Sequence, residues 1–456
     1  MATVLGANSV TGGFEVDNSV RLDGFDSSSR MEYTASNASN RRTWTWSAWI
    51  KRSDKRTNNF QVLFSSTPTG PAERIMFEGD KLTYDHDKAG TDFSVSTPGV
   101  LRDFSAWYHV VVMKDTTQST ETNRIKIYVN GVQQTLVEVQ EGFPGQNLES
   151  TINTAAETQL FAQGDGEEFG GYACEVVFCD GQSLAADQFG EFDEDSGIWK
   201  PIDVSGLTFG TNGYYLNFAD SSALGTDVSG NGNDYATANL AATDQGLDTC
   251  TNNFATMNTL VKSAATLSEG NLKQATAGKS SVATIGVTSG KWYFEQKFIG
   301  SGVNEATLGF ALEGSGIFTN DVGGNTVRGT GYVTLYVYDG KIYNEGTATS
   351  SFATFAVNDI IGWNLDADAG DIFLYRNGSI LNSGSAVVSG KTGKTWFPFG
   401  NFDTGDVTGV EHNFGGARTF SISSAVTDGN GFGAFEFAPK SGHLAICTKN
   451  LAEVLG

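Results

Sequence analysis

The sequence predicts an all-β protein built from two β-sandwiches. Glycine (56 residues) and phenylalanine (31) are frequent and proline is scarce (7), a composition typical of strands joined by tight turns. Short runs that alternate apolar and polar residues recur along the chain, and almost no stretch has the spacing of an amphipathic helix of three turns. Because 456 residues exceed one ordinary domain, we expect two sandwich-sized domains with additional segments.

The clearest predicted strand pair lies within residues 357–380. Ile361, Trp363 and Leu365 alternate along one face of the first strand, and Ile372 begins the apolar face of the second. A cluster of Asp, Ala and Gly residues separates the two runs, which predicts a β-hairpin. The Asn-Gly dipeptide that follows predicts a second turn, because both residues accept a positive φ.

Other strands are predicted wherever short alternating runs end at turn residues. In the first half these runs are residues 42–51, 61–65, 74–77, 81–85, 92–96, 107–114 and 125–129. In the second half they are residues 291–298, 307–312, 331–338, 396–402 and 411–415. Asn130-Gly131 and Asp339-Gly340 each follow such a run directly, so we expect a hairpin turn at both dipeptides.

Several ordered motifs resemble known sandwich families. The hairpin D-I-I-G-x-x-L-D-x-D-x-G-x-I-x-x-Y-R-N-G resembles the central hairpin of SPRY domains, and G-K-W-Y-F-E, L-G-F-A, Y-x-Y-D-G-K, W-F-P-F and N-F-G occur in SPRY order around it. The first half contains WSAWIKR, WYHVVV and IKIYVNGV, followed by GGYACEVVFCDGQSLAADQFGEFDEDSGIWKP, and resembles laminin-G-like (LamG) domains. The resemblance implies two concanavalin A-like jelly-roll sandwiches, the SPRY-like one binding partners without catalysis.

Further motifs outside the sandwiches resemble segments of bacteriophage structural proteins. They are D-x-S-G-N-G-N-D, T-N-N-F-A-T-M-N with S-E-G-N-L, and the C-terminal FEFAPKSGHLAICTKNLAE. The resemblance covers nearly the whole chain and implies a virion protein in a tail fibre, tail or capsid appendage. It implies other virion proteins as partners, a homo-oligomeric state and host-surface attachment.

These observations divide the chain into five predicted segments. They are an N-terminal arm or edge strand (1–30), a LamG-like sandwich (31–220), an Asn/Gly-rich connector (221–269), an SPRY-like sandwich (270–415) and a C-terminal docking tail (416–456). We expect the connector region to pack on the first sandwich through apolar anchors. These anchors are Tyr214, Leu216, Phe218, Tyr235, Phe254 and Leu260.

The charge balance excludes some classes of partner. With 52 acidic against 29 basic residues the formal charge is −23, which disfavours nucleic acid and anionic membranes as partners. No run approaches 18 apolar residues, so we expect no membrane insertion. The first 13 residues lack the pattern of a signal peptide, which predicts synthesis in the host cytoplasm before assembly into a virion.

The four cysteines are predicted to be reduced and structural. Cys174 and Cys179 are five residues apart in one apparent strand, so we expect them on opposite faces and unable to pair. Cys250 and Cys447 lie far from them in sequence, and no C-x-x-C spacing of a metal or redox site occurs.

Concanavalin-type sandwiches also host glycoside hydrolases, which place Glu-x-Asp-x-(x)-Glu along one strand. The nearest match is Glu191-Phe-Asp193-Glu-Asp195-Ser196, where Asp or Ser replaces the final Glu. Its surroundings predict a short helix and loop, so we interpret the motif as a solvated acidic turn. A glycan-degrading enzyme nevertheless stays among the alternatives.

The histidines offer no convincing nucleophilic site. They are His86, His109, His412 and His443. His109 lies in an apolar strand and His412 beside the last SPRY-like strand, and no G-x-S-x-G elbow accompanies them. We therefore expect them to be structural.

Two Asp-rich turns are candidate calcium sites. Asp227, Ser229, Asn231 and Asn233 imitate the first half of an EF-hand loop, but Ala238 occupies the position of the bidentate Glu. Residues 366–371 also fail the pattern and are predicted to be a hairpin tip. No cofactor is expected, with structural calcium at the first turn as the remaining alternative.

Carbohydrate binding in either sandwich would use rim loops or sheet aromatics. The candidates are Trp49, Tyr84, Trp107, Tyr338 and Trp363, although aromatic residues in strands usually belong to the core. The sequence therefore predicts no catalytic residue, no cofactor or metal ligand and no named ligand-binding residue. It favours a non-enzymatic virion protein that binds host-surface glycans, with a purely structural decoration or assembly protein as the main alternative.

Overall fold

A computed structural model of the chain describes residues 13–24, 28–53, 60–66, 72–87, 92–164, 166–261, 265–275, 277–302, 306–318, 324–353, 355–403 and 407–455. Residues 1–12 of the predicted N-terminal arm lie outside them. Within the described residues the chain forms two compact units, the first ending at Thr251 and the second starting at Asn252. Nearly all regular structure is antiparallel sheet, which confirms the all-β prediction.

The first unit contains strands β1 to β18. They are β1 (Ser19–Asp23), β2 (Arg30–Thr34), β3 (Thr43–Arg52), β4 (Phe60–Ser66), β5 (Ala72–Glu78), β6 (Lys81–Asp87), β7 (Phe93–Ser96), β8 (Trp107–Asp115), β9 (Ile125–Val129), β10 (Val132–Gln133), β11 (Val137–Gln140), β12 (Glu157–Leu160), β13 (Gly170–Asp180), β14 (Gly190–Phe192), β15 (Trp199–Pro201), β16 (Tyr214–Leu216), β17 (Ala236–Ala238) and β18 (Gln245–Gly246). Short 3₁₀ helices cover Glu121–Asn123, Ala186–Gln188 and Ala242–Asp244.

Two sheets form the sandwich of the first unit. One has the strand order β10-β9-β8-β3-β13-β1-β18, with β16 also paired to β13, and the other has the order β11-β7-β6-β5-β4-β12-β2-β17. Between them Trp44 and Trp46 of β3 pack against Phe178 and Phe64, with ring centroids 5.9 and 6.2 Å apart. All four side chains are buried, and each contributes roughly 1.5–3 kcal/mol through loss of contact with water.

The outer face of the first sheet is buried as well. Trp49, on the opposite face of β3 from Trp46, is only 1% exposed. It stacks on His109 of β8, which in turn stacks on Trp199 of β15. The β14–β15 hairpin therefore covers this face, which explains why strand β3 carries large aromatic residues on both sides.

A β-bulge in β13 changes the predicted positions of two cysteines. The pairing of β13 with β3 shifts between Cys174 and Val177, and Glu175 has a φ of 52°. The extra residue reverses the alternation, so Cys174 lies opposite Trp49 and Cys179 opposite Thr45, both on the outer face. The prediction that they lie on opposite faces was wrong. All four cysteines are buried and form no disulfide.

The second unit contains strands β19 to β32 and one α-helix. They are β19 (Leu267–Ser268), β20 (Lys273–Gln274), β21 (Lys279–Val282), β22 (Lys291–Gly300), β23 (Ala306–Leu312), β24 (Tyr332–Tyr336), β25 (Lys341–Asn344), β26 (Thr347–Ser351), β27 (Ile360–Asp366), β28 (Asp371–Arg376), β29 (Ser379–Ile380), β30 (Trp396–Phe402), β31 (Val407–Asn413), β32 (Leu444–Ala445) and α1 (Thr448–Leu455). Short 3₁₀ helices cover Gly316–Phe318, Gly324–Arg328 and Asn382–Gly384.

The second unit is also a two-sheet sandwich. One sheet has the order β19-β20-β31-β22-β27-β28-β29, with β32 added to β22, and the other has the order β21-β30-β23-β24-β25-β26. Trp363 of the predicted central hairpin lies 5.6 Å from Phe310 across the sandwich and stacks on Phe294. Trp363 is fully buried together with Ile361 and Leu365, as the alternation of that hairpin indicated.

The compact units begin and end at different points from the predicted segments. Strand β1 pairs with β13, so residues 19–23 of the predicted arm supply a sheet strand. The predicted connector 221–269 divides between the two units after Thr251. Residues 416–455 cover the outer face of a sheet in the second unit, where Phe435 packs edge-on against Tyr293.

The predicted anchors of the connector region follow the same division. Four of them are buried in the first unit: Tyr214, Leu216, Phe218 and Tyr235. Phe254 is buried in the second unit instead, and Leu260 is 47% exposed. Strand β17 also pairs with β2, so this region completes a sheet of the first sandwich.

Candidate functional site

Only one of the five aromatic candidates from the sequence is accessible to a ligand. Trp49, Tyr84, Trp107 and Trp363 are at most 2% exposed. Tyr338 is 57% exposed, more than any other large apolar side chain that the structure describes. Of the five candidates, Tyr338 alone therefore presents its ring to solvent.

A tight hairpin between β24 and β25 positions Tyr338. Tyr336 pairs with Lys341 at the end of the ladder, and residues 337–340 form the turn. The predicted strand 331–338 thus ends two residues early. Gly340 has a φ of +66°, and an added Cβ would lie 2.5 Å from the carbonyl oxygen of Phe352, so this turn requires glycine.

Strand alternation places three tyrosines on one face of this hairpin. Leu335 and Ile342 are fully buried and point into the sandwich. Tyr336 and Tyr343 therefore project from the outer face, and Tyr338 lies beside Tyr336 with ring centroids 5.8 Å apart. The ring planes of Tyr336 and Tyr338 are inclined to each other by 52°, so the two adjacent rings face different directions.

Arg328 completes this surface from the neighbouring 3₁₀ helix. Val327 is fully buried, and its carbonyl accepts a hydrogen bond of 3.2 Å from the Thr334 hydroxyl, which fixes the helix beside β24. The guanidinium carbon of Arg328 lies 3.8 Å from the ring centroid of Tyr336 and 5.7 Å from that of Tyr343. These distances are typical of cation–π stacking.

We call Arg328, Tyr336, Tyr338, Asp339 and Tyr343 the Tyr338 patch. Within it, Asp339 Oδ2 accepts a hydrogen bond of 2.8 Å from the Tyr343 hydroxyl and lies 3.3 Å from the Lys341 ammonium. Its other oxygen accepts the backbone N–H of Lys341 at 3.0 Å. Burial raises the pKa of Tyr343, and the hydrogen bond to Asp339 raises it further.

The side chains of the patch are of types that can bind a sugar. Aromatic faces pack against the C–H faces of a sugar ring, and the guanidinium donates hydrogen bonds to its oxygens. Tyr338 was among the five aromatic candidates from the sequence, whereas Arg328, Tyr336 and Tyr343 were not. The repeated tyrosines around the Asp-Gly turn were the available signal, whereas the approach of Arg328 depends on tertiary packing.

The acidic motif of the first unit forms a hairpin turn. Glu191 lies in β14, and the Lys200 ammonium is 3.3 Å from Glu191 and 3.2 Å from Asp193. The backbone N–H and then the hydroxyl of Ser196 lower the pKa of Asp193 to about 2. Asp195 is exposed in the turn. Part of the predicted loop is therefore a strand. A single lysine, Lys200, contacts both Glu191 and Asp193, the two carboxylates of the motif that alternation places on one face.

His109 and Ser47 form a buried pair that lacks the tautomer of a general base. His109 Nδ1 accepts the indole N–H of Trp199 at 3.0 Å, and Nε2 lies 2.9 Å from Ser47 Oγ. Because an indole nitrogen only donates, Nε2 must carry the proton and donate to Ser47. Burial lowers the pKa of His109 to about 3, which keeps the ring neutral.

His86 belongs to a buried ionic network between the two sheets of the first unit. Glu73 of β5 contacts the ammonium of Lys114 from β8, accepts a hydrogen bond of 2.7 Å from Tyr84 and lies 3.1 Å from His86. Its second oxygen accepts hydrogen bonds from the Ser150 hydroxyl and from the backbone N–H groups of Thr151 and Ile152. Glu73 and Lys114 are fully buried, so this network holds the sheets together and contacts no solvent.

The remaining histidines are buried in the second unit. His412 of β31 lies 3.1 Å from the Gln296 side-chain nitrogen, and burial lowers the pKa of His412 to about 3. Burial also lowers the pKa of His443 to about 4. Both rings are therefore neutral at pH 7 and part of the packed structure.

The predicted calcium loop binds its own backbone. Asp227 Oδ1 accepts the N–H groups of Tyr215 and Ser229, both at 2.9 Å. Oδ2 accepts the Ser229 hydroxyl and the N–H of Asn233, again at 2.9 Å. Both carboxylate oxygens thus face protons, which fits a turn that orders the chain better than a cation site.

The second Asp-rich turn forms the tip of the β27–β28 hairpin. Asp366 accepts the N–H of Ala369 at 3.0 Å and pairs with Lys291 at 2.6 Å. Asp368 accepts the N–H of Gly290 at 3.0 Å. Among the residues that the structure describes, no cluster of three or more His, Cys, Asp or Glu side chains is placed to hold a metal ion.

None of the described helices is both long enough and apolar enough to cross a bilayer.

Comparison with known proteins identifies a domain in the first unit. Residues 25–186 match the family model of laminin-G type described as the concanavalin A-like lectin/glucanases superfamily. The first unit therefore contains a concanavalin A-like domain, as the sequence motifs indicated. A comparison with curated proteins found no match.

Several solved structures are similar to parts of the chain. The SPRY domain of human HERC1 is 16% identical, with coverage of 32% of this chain and 87% of that one and a TM-score of 0.26. The TRIM65 PSpry domain is 13% identical, covers 35% and 88%, and has a TM-score of 0.29. The heptameric SAP-like pentraxin from Limulus polyphemus is 16% identical, covers 38% and 80%, and has a TM-score of 0.28.

Proposed function

We propose that this chain is a non-enzymatic bacteriophage virion protein that binds host-surface carbohydrate through the Tyr338 patch. The observation that carries the proposal is the 57% exposed tyrosine beside a second tyrosine and a stacked arginine. The first unit matches the concanavalin A-like lectin/glucanases superfamily, which supports carbohydrate binding by the chain, whereas the Tyr338 patch itself lies in the second unit. The resemblance of the connector and tail motifs to phage structural proteins supports the virion assignment.

An attachment role is compatible with a small and shallow site. Two tyrosine faces and one guanidinium cover little more than one sugar ring, so we expect each site to bind with a Kd of about 1 mM. Repetition on a particle turns weak sites into firm attachment, because later contacts form at high effective concentration. A virion with many copies of this chain would therefore bind a glycan-coated cell strongly.

The proposal of a non-enzymatic role is supported by the state of the candidate groups. The acidic turn is tied to Lys200, and Glu73 is enclosed between the sheets. The His109 tautomer cannot activate Ser47. Incubation with purified host polysaccharide and a reducing-end assay tests this directly: we expect no product, and product formation would establish the enzyme alternative.

Binding is tested with a glycan array and a matched pair of variants. Tyr338→Ala removes the exposed ring and should reduce glycan binding at least about tenfold, since stacking of a ring contributes on the order of 1.4 kcal/mol or more. Phe192→Ala removes a ring of similar exposure (50%) from the first unit and should leave binding unchanged. Equal losses in both variants, or none in either, would contradict the proposed site.

A second candidate function, subunit assembly, is favoured by one apolar segment. Val132, Val137 and Val139 are 54%, 43% and 52% exposed along residues 132–139. Strand β11 in this segment is an edge of its sheet, which offers backbone groups to another strand. Tracing this chain in a reconstruction of the intact virion separates the two functions, because burial of the Tyr338 patch between subunits would exclude attachment there.

A further inference from the structure

We infer that the saccharide bound by the Tyr338 patch carries an anionic group, a carboxylate or a sulfate, which Arg328 recognises. This inference rests on the proposed function and specifies its ligand class. It follows from which polar groups of the patch are already engaged within the protein and which still face solvent.

The acceptor of the patch is already occupied. Asp339 accepts hydrogen bonds from the Tyr343 hydroxyl and the Lys341 backbone, and it also pairs with the Lys341 ammonium. A neutral sugar is usually held by carboxylates that accept bonds from its hydroxyl groups. Because Asp339 is committed to its own hairpin, it has little capacity left for such a ligand.

Arg328, the hydrogen-bond donor of the patch, is not occupied in this way. Arg328 stacks on Tyr336 and Tyr343 and has no hydrogen bond or ion pair with any residue that the structure describes. By contrast, Arg52 and Arg74 of the first unit pair with Asp80 and Asp85. A guanidinium offers five N–H donors and no acceptor, so the patch is matched to a ligand rich in acceptors.

Stacking on Tyr336 also orders the Arg328 side chain before an anion binds. The ring of Tyr336 covers one face of the guanidinium and restricts the side chain before a ligand arrives. The N–H groups lie in the guanidinium plane, where they can bind two oxygens of one carboxylate or sulfate together. Tyr336 contacts both Tyr338 and Arg328, so a saccharide that extends from Tyr338 across Tyr336 would bring such a substituent to the guanidinium.

The charge of the whole chain makes this local cation necessary. A formal charge of −23 repels an anionic glycan at long range. At about 0.15 M ionic strength this repulsion is screened beyond about 8 Å, whereas a direct guanidinium contact is screened much less. Recognition of an acidic sugar therefore depends on a cation held at the binding surface.

The test uses the full chain and oligosaccharides that differ only in charge. Binding to an immobilised hexuronic acid tetrasaccharide is compared with binding to its carboxyl-reduced neutral counterpart and to a sulfated form of that counterpart. We expect at least one anionic form to bind about tenfold more tightly than the neutral form. The uronate and sulfate arms identify which anion the site prefers.

Variants connect this preference to Arg328. Arg328→Gln should remove the preference, so that the anionic and neutral forms bind this variant equally. Arg328→Lys should retain part of the preference because it keeps the charge without the planar fork. Unchanged thermal unfolding of both variants shows that the patch remains folded. Equal binding of neutral and anionic forms, or a preference that survives in Arg328→Gln, overturns the inference.

The outcomes also separate this inference from the proposed function. If neutral and anionic saccharides bind equally and Tyr338→Ala abolishes both, the attachment function stands and the anionic ligand class is refuted. If no saccharide binds above the level of Tyr338→Ala, both the function and its ligand class are refuted.

Discussion

Replacing Lys114 by Met should destabilise the first unit by about 3 kcal/mol. Lys114 and Glu73 are completely buried and pair across the two sheets of the sandwich. Removing the ammonium leaves a buried carboxylate without its counter-charge, a change that typically costs about 3–5 kcal/mol. The expected cost is at the lower end, because Tyr84, Ser150 and two backbone N–H groups still donate to Glu73.

The same variant should change how stability depends on pH. Burial alone raises the pKa of Glu73, but Lys114 and then His86 outweigh it and hold the pKa well below its usual value. A carboxyl with a lowered folded-state pKa adds stability above its unfolded pKa, about 4.3, and loses that contribution as pH falls through the folded pKa. Without Lys114 the folded pKa rises, so the variant has less of this contribution to lose in acid. The stability difference between the variant and the unaltered chain should therefore shrink as pH falls below about 4.3.

Hydrogen exchange measured by mass spectrometry on the full chain is the assay. Peptides from β5 and β8 report opening of the first unit separately from the second, and the change in their exchange rates gives the free energy of opening. Arg102→Gln is the control, because Arg102 is 66% exposed and its pair with Asp80 should contribute no more than about 1 kcal/mol.

A double variant distinguishes a broken pair from a general packing defect. Glu73→Gln with Lys114→Met removes both charges, so its cost should be smaller than the sum of the two single costs. A Lys114→Met cost below about 1 kcal/mol, or additive costs in the double variant, would refute the view that this ion pair joins the sheets.

Three other predictions concern the second unit and the connector. Gly340→Ala should destabilise the second unit by about 1–3 kcal/mol in denaturant unfolding, because its φ is +66° and its Cβ would meet the carbonyl of Phe352. Burial raises the pKa of Glu295, with partial opposition from the N–H groups of Phe437 and Glu436. The second unit should therefore lose stability as pH rises from the unfolded pKa of a glutamate to the raised folded pKa, and Glu295→Gln should remove this pH dependence. If unfolding titrations gave the same pH profile for Glu295→Gln and the unaltered chain, Glu295 would not be the group responsible. Chelation of calcium should leave the thermal unfolding of the first unit unchanged, because Asp227 is saturated by N–H and O–H donors, and a lower Tm with chelator would establish a calcium site.

Strand alternation was the reliable part of the sequence signal. Trp363 and its neighbours in the 357–380 hairpin are buried on the predicted face, because a period of two depends only on local backbone geometry. Strand β30 also covers the residues predicted for it, 396–402. These elements could be predicted because each forms from a continuous run with turn residues at its ends.

Features that depend on an extra residue or on distant segments could not be predicted in this way. The bulge at Glu175 reverses the alternation of β13, and nothing in the apolar pattern marks it. Trp49 was one of the candidate ligand-binding aromatics, but it is buried beside His109, on which Trp199 of a hairpin 150 residues later stacks. Arg328 likewise reaches Tyr336 through the packing of a 3₁₀ helix, which leaves no periodic signal in the sequence.

The way in which the sheets are covered indicates why a binding surface would lie on a hairpin. In the first unit the β14–β15 hairpin covers the outer face around Trp49, and in the second unit the C-terminal segment covers Tyr293. These covered faces cannot offer aromatic rings to a ligand. At the β24–β25 turn, however, Tyr338 is exposed and contributes little to core packing. An exposed ring that contributes little to the core, beside a stacked guanidinium that has no hydrogen bond or ion pair to a described residue, has the arrangement expected of a recognition surface.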